Sequence, residues 1–173
     1  MNDLRERVRA GQTGALENIL NAIPGYGGYR DKQLRRDADR LLREYIAREL
    51  AQQSRKLPQL QRQLIERGQL RLVDDLERVV RGLQTLGDQV RTVAGGYAGF
   101  FDAVKVREAE LDRLYEFDQA LLADISRLSE GIAALETAIA SQAGIAEAIR
   151  DLSEAVDRLG DYWRGRREVV LQI

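Results

Sequence analysis

An apolar heptad that recurs along much of the chain constrains the fold more than any other feature of the sequence. From Ile65 to Tyr97, apolar residues fall at alternating steps of four and three residues, with Gly68 inside the first interval. A second run with the same steps extends from Leu111 to Ile139. A sustained period of about 3.5 residues holds one stripe of a helix against a partner helix. The sequence therefore predicts an all-α protein, an elongated antiparallel helical bundle built on a long coiled-coil-like hairpin.

Turn signals divide these periodic stretches into helices. Gly95 and Gly96 end one helix, and Pro58 fits either the first turn of a helix or a kink within one longer rod. Near Gly144 the pattern slips, which indicates a turn or a stutter, and the glycine favours the turn. We interpret residues 1–173 as a single domain. Its predicted helices are a short one at 3–23 and longer ones at about 30–57, 58–94, 102–139 and 145–168.

Two missing residue types exclude several classes of function. The chain has neither histidine nor cysteine, so disulfides, thiolate or histidine metal sites and Ser-His or Cys-His nucleophilic pairs are impossible. We therefore expect no enzyme, with no catalytic residues, no metal, no cofactor and no small-molecule substrate. The charged amino terminus does not resemble a signal peptide, and no apolar run approaches the roughly 20 residues of a membrane span. We expect a cytoplasmic protein.

Charge is distributed unevenly along the chain. Residues 1–71 carry 15 basic and 9 acidic side chains, whereas residues 72–173 carry 12 basic and 19 acidic ones. One interpretation is that a basic first half packs against an acidic second half. The other is a basic face, built on the arginines of the second helix, that binds nucleic acid or anionic lipid.

Three aromatic residues cluster at the expected tip of the hairpin: Tyr97, Phe100 and Phe101. They either close the end of the bundle over the glycine turn or form an exposed anchor for a partner, since loop aromatics are favoured at binding hot spots. We retain all three as candidate partner-binding residues.

The end of the chain combines arginines with an apolar segment. Arg164, Arg166 and Arg167 follow Trp163, which continues the heptad stripe of the last helix. Val169 and Leu171 belong to the apolar segment that comes next, which either continues the helix into the core or docks on a partner. We take these arginines and apolar residues as further candidates for partner binding.

Asp118 is the one polar member of the second heptad run. A buried, unpaired carboxylate is costly, so we expect it to be paired with a cation unless the seam rotates it into water. Folding the hairpin about residue 99 or 100 places Asp118 opposite roughly residues 80–82. This predicts a structural pair between Asp118 and Arg81, or alternatively Arg78, that fixes the register of the two seams.

Two segments carry a resemblance to known proteins. GGYAGFFDAVKVREAELDRLYEFDQALL resembles a segment of an uncharacterised group of bacterial helical proteins, and IPGYGGYRDKQLRRDADRLLREYIA resembles its first half. The resemblance covers about residues 23–125; it implies no activity and identifies no site residues. In architecture alone, a long helical hairpin with an amphipathic leader is similar to membrane-remodelling proteins of the phage-shock type, although this leader lacks a bulky apolar face.

These features favour a function in binding. The first hypothesis is a non-enzymatic interaction or scaffold protein with an unidentified protein partner, with a homo-oligomer as one form of it. The alternative is peripheral binding to an anionic membrane or to nucleic acid through the arginine-rich faces. A steep decrease in affinity with salt would distinguish the alternative.

Overall fold

The protein is a bundle of α-helices. The computed structural model describes Ile23, residues 32–92 and residues 108–171, with side chains described for Ile23, residues 39–92 and residues 113–168. Within these ranges there is no strand, which confirms the all-α prediction. The predicted helix at 3–23 lies outside them, apart from Ile23, which is buried. The helices are α1 Lys32–Ser54, α2 Leu57–Glu66, α3 Leu70–Thr92, α4 Glu108–Ser141 and α5 Ile145–Leu171.

The first two helices form one interrupted rod. α1 ends at Ser54, two residues make a turn, and α2 begins at Leu57 with Pro58 in its first turn. Proline suits this position because its missing N–H would have no acceptor there in any case. α1 and α2 both pack along α3, and Gln61 of α2 donates a 2.7 Å hydrogen bond to Glu77 of α3. The proline therefore marks the boundary between two helices.

The predicted helix at 58–94 is wrong in one respect, because the chain reverses direction inside it. α2 ends at Glu66, and Gly68 has a φ of +72°, a left-handed conformation that glycine adopts without strain. Ile65, placed on the seam by the heptad pattern, is 53% exposed, while its neighbour Leu64 is fully buried. The apolar residues on either side of Gly68 thus belong to two helices that fold back on each other.

In the described ranges, four helical segments surround the core: α1 with α2, α3, α4 and α5. α3 packs against α1, α2 and α5, and α4 packs against the same three helices. α3 and α4 therefore lie across the core from each other, as do α1 and α5. The most extensive contact joins α4 to α5 through a short turn in which Gly144 has a φ of +69°, so the turn predicted near Gly144 is present. The described part of the bundle is thus centred on the α4–α5 hairpin.

Buried apolar residues from all five helices form one cluster. In α4 the predicted seam is buried from Leu114 to Ile139, and in α5 it is buried from Ile145 to Trp163. Gly131 and Gly82 bring helices close, since a Cβ on either would lie within 3 Å of a side-chain atom of α5. Heptad spacing therefore identified the buried faces of both helices correctly.

Candidate functional site

Four charged side chains form a chain of ion pairs at one end of the bundle. Arg166 of α5 donates through Nε to Asp118 Oδ1 of α4 at 2.5 Å and through Nη2 to Asp39 Oδ1 of α1 at 2.9 Å. Asp39 also accepts a 2.8 Å hydrogen bond at Oδ2 from Nε of Arg43. The side chains of Arg166 and Asp118 are fully buried, and that of Asp39 is 3% exposed. The network joins three helices and includes a contact across the core, from α5 to α1.

Each buried member of this network occupies a seam position of its own helix. Asp39 lies three residues before buried Leu42, and Arg166 lies three residues after buried Trp163. Three apolar stripes are therefore each interrupted by a charge at the same level. The guanidinium carbon of Arg166 also lies 5.5 Å from the centre of the Trp163 ring, a cation–π arrangement that stabilises a desolvated arginine.

The predicted partner of Asp118 was wrong, although its burial and ion pairing are as expected. Arg81 is exposed and lies 3.7 Å from Glu77, and Arg78 pairs with Asp75. Gly82 contacts Val156, which precedes Arg166 by ten residues on α5. At 1.5 Å per residue, Arg81 therefore lies roughly 15 Å along the bundle from Asp118. The error arose because the prediction took α3 as the neighbour of α4, whereas α4 packs on α5 and α1, which supply Arg166 and Asp39 to the network.

The C-terminal arginines do not form one surface. Arg166 is internal, so its assignment to partner binding was wrong. Arg164 is exposed and pairs with Asp161 one turn earlier, and Arg167 is exposed. Helix α5 continues through Leu171, past the predicted end at 168, so Val169 and Leu171 belong to the helix.

The side chains of five candidate partner-binding residues lie outside the described part of the chain. Tyr97, Phe100 and Phe101 lie outside the described residues, as do the side chains of Val169 and Leu171. Their candidate roles in partner binding therefore stay predictions.

A second buried carboxylate lies further along α4. Asp124 is fully buried, accepts a 2.7 Å hydrogen bond from Arg127, and lies 3.8 Å from Nε of Arg158. Both arginines are about half exposed or more, so their guanidinium groups cover the carboxylate from the solvent side. In the sequence, Asp124 is an acidic residue beside the seam residue Ile125, and that position alone does not indicate that it is buried.

Positive charge converges in a cleft between α1 and α3. The cleft has a volume of about 520 Å³. Arg48 is exposed, lies 5.3 Å from the centre of the Tyr45 ring, and is 3.8 Å from Glu49. Burial raises the pKa of the Tyr45 hydroxyl above its usual 10.0, and Glu49 raises it further while Arg48 lowers it. The residues that line the cleft are Arg40, Arg43, Glu44, Ala47, Arg48, Val90 and Arg91.

The composition of this lining indicates the chemistry of a ligand. Four arginines from two helices surround one carboxylate, that of Glu44, over an apolar floor of Ala47 and Val90. Guanidinium groups bind carboxylates and phosphates in a planar, bidentate manner. The cleft, which we call the arginine cleft, is therefore suited to an anionic group attached to an apolar body.

Among the described residues, no three carboxylates come together in a way that would hold a metal ion. None of the helices in the described ranges is long and apolar enough to cross a membrane.

Comparisons with known proteins add no relative: no protein-family model, curated protein or solved structure matches the chain.

Proposed function

We propose that this protein is a non-enzymatic interaction protein that binds a protein partner through the arginine cleft. The observation that carries the proposal is the convergence of four arginines from α1 and α3 on one recess with an apolar floor. Arginine is enriched at protein interfaces, where its stem packs on apolar surface while its guanidinium group binds carboxylates. The partner would supply acidic side chains next to apolar ones.

The exposed arginines of α5 make a contrast that supports this choice of surface. Arg150 lies 3.6 Å from Glu147, and Arg164 pairs with Asp161, each one turn away on the same helix. Such pairs reduce the local positive charge. In the cleft Arg43 is paired with Asp39 and Arg48 lies 3.8 Å from Glu49, but the four arginines still outnumber these carboxylates and that of Glu44, so the local field is positive.

A location in the cytoplasm is part of the proposal. The chain has no cysteine, so its stability requires no oxidising compartment. Ion pairs within the protein hold the buried charges, and they require neither a metal nor a cofactor.

The proposal is tested by capture of partners with charge-reversed variants. The double variant Arg48→Glu/Arg91→Glu reverses two cleft arginines, and Arg150→Glu/Arg164→Glu reverses two exposed arginines on α5, with the same change in net charge. Proteins captured from cells of the source by the wild type and by the α5 variant, but not by the cleft variant, are the expected partners. Equal capture by all three proteins would contradict the proposal.

A phosphate-bearing surface is the second candidate, and the same four arginines favour it. Binding of the wild type to anionic vesicles or duplex DNA, with affinity that falls steeply between 50 and 200 mM salt (about the range over which such contacts are lost), would support it. The α5 double variant should retain that binding, and the cleft double variant should lose it.

A further inference from the structure

The arginine cleft continues as a groove along the line where α1 meets α3. A second recess of about 290 Å³ adjoins it and shares Ala47 and Arg91 with it. Together they follow α1 from Arg40 to Ser54. Fourteen residues at 1.5 Å each give a length of roughly 21 Å, about four helical turns.

The groove is open at Gly87 of α3. A Cβ built on Gly87 would meet no atom within 4 Å, whereas one built on Gly82 of the same helix would lie 2.8 Å from Val156. Thus α3 is closely packed on its α5 side and open toward the groove. Beside Gly87, the groove wall from α1 contains Ala47, Ala51 and Ser54, which are all small.

Positive charge is confined to one end of this groove. Arg40, Arg43 and Arg48 lie at the end nearest the start of α1, and Arg91 stands at the junction. The far end contains Ser54 and Gln84, and its only charge besides Arg91 is that of Asp88. A ligand that fills the whole groove must therefore be anionic at one end and weakly polar along the rest.

We propose that this groove binds one amphipathic α-helix of a protein partner, with carboxylates at the end that lies among the arginines. The inference rests on the proposed function and names the structure of the segment recognised. A third helix laid between two antiparallel helices can approach closely over small residues, and its side chains fill the space above Gly87.

Two other ligands fit the groove less well. The backbone N–H and C=O groups of α1 and α3 are bonded within their helices, so an extended peptide finds no strand edge to pair with. A nucleic acid is charged along its whole length, whereas the arginines occupy only one end of the groove.

A displayed library of 18-residue helical peptides tests the inference directly. Selection on the immobilised protein should enrich peptides with small apolar residues at i, i+3, i+4 and i+7 and with Asp or Glu at one end only. The enriched peptides should bind Gly87→Leu at least tenfold more weakly than wild type, because the leucine fills the groove. Ala133→Leu, which changes an exposed alanine of α4 in the same way, should bind them as wild type does.

Several results would overturn the inference. These are enrichment of no peptide, enrichment of peptides without the one-ended acidic pattern, or equal binding to Gly87→Leu and wild type. Thermal melting tests whether Gly87→Leu is folded. If Gly87→Leu is unfolded, Ala51→Met replaces it, because Ala51 lines the same groove from α1. If groove variants bind normally while Arg48→Glu/Arg91→Glu loses captured partners, the helix inference fails and the proposed function stands.

Discussion

Arg166 shows most clearly how a single residue can determine the local structure of this protein. Moving a charge from water into a core costs several kcal/mol, and two carboxylates with a stacked tryptophan offset that cost here. Whether the buried arginine stabilises the fold therefore depends on the carboxylates that pair with it. Removing the guanidinium group would leave the buried carboxylate of Asp118 without the hydrogen bond from Nε of Arg166.

We predict that Arg166→Ala lowers the free energy of unfolding by about 3–5 kcal/mol, the usual effect of breaking a buried ion pair. Arg164→Ala, two residues earlier, removes an arginine whose side chain is 64% exposed and should change stability by less than about 1 kcal/mol. Chemical denaturation of both variants measures the difference. Similar values for the two would contradict the buried network.

The glycines of α3 give a second test at the residue scale. Gly87→Ala should stabilise the protein by up to about 1 kcal/mol, because alanine favours the helix and its Cβ enters open space. Gly82→Ala should show no such gain, because its Cβ would lie 2.8 Å from Cγ1 of Val156, a β-branched residue with little rotamer freedom. The denaturation midpoint should therefore rise for Gly87→Ala and should not rise for Gly82→Ala.

At the scale of helices, the sequence predicted which helix faces are buried better than it predicted where the chain reverses direction. The seams of α4 and α5 and the start of a helix at Pro58 all follow from periodicity and local conformational preference. The reversal at Gly68 does not, because the spacing from Ile65 to Leu72 equals one heptad and a continuous helix fits it equally well. Only the tertiary contact of α2 with α3 distinguishes the two arrangements.

The reversal predicts a specific sensitivity. Gly68→Ala should cost about 1–2 kcal/mol, because an L-residue at a φ of +72° brings its Cβ close to the following carbonyl. Beyond its own residue and the two chain neighbours, the new Cβ would meet no atom within 4 Å, so the cost reports backbone conformation alone. Gly87→Ala serves as the control for the same change within a helix. A Gly68→Ala protein as stable as wild type would contradict the turn.

The candidate site was predictable only in part, for a related reason. Asp118 was recognised because it interrupts a seam whose boundaries periodicity defines well. Its partner was missed because the choice depends on which helices are neighbours, and heptads alone do not specify that. The arginine cleft needs the same information, since Arg48 and Arg91 are 43 positions apart and meet only when α1 packs on α3.

At the scale of the whole molecule, we expect the buried ion pairs to fix how the described helices are placed along one another. Two apolar seams can slide by a heptad with little change in buried area, whereas a buried charge must meet its opposite. Arg166 pairs with Asp118 of α4 and with Asp39 of α1. Both pairs lie at the end of the bundle where the arginine cleft also lies. We therefore expect the register of the bundle to be set at the same end as its proposed binding surface.

The network also has a consequence for the order of folding. Asp118 and Arg166 are 48 residues apart along the chain, and Asp39 and Arg166 are 127 apart. Contacts distant in sequence carry a larger loop-closure cost, so the α4–α5 hairpin should form early and the pairing with Asp39 late. Asp39→Asn should therefore accelerate unfolding and leave the folding rate unchanged, while Leu152→Ala in the hairpin should slow folding. Stopped-flow measurements across denaturant concentrations separate the two rates. Slower folding of Asp39→Asn would contradict this order, because it would show that the contact with Asp39 forms before the rate-limiting step.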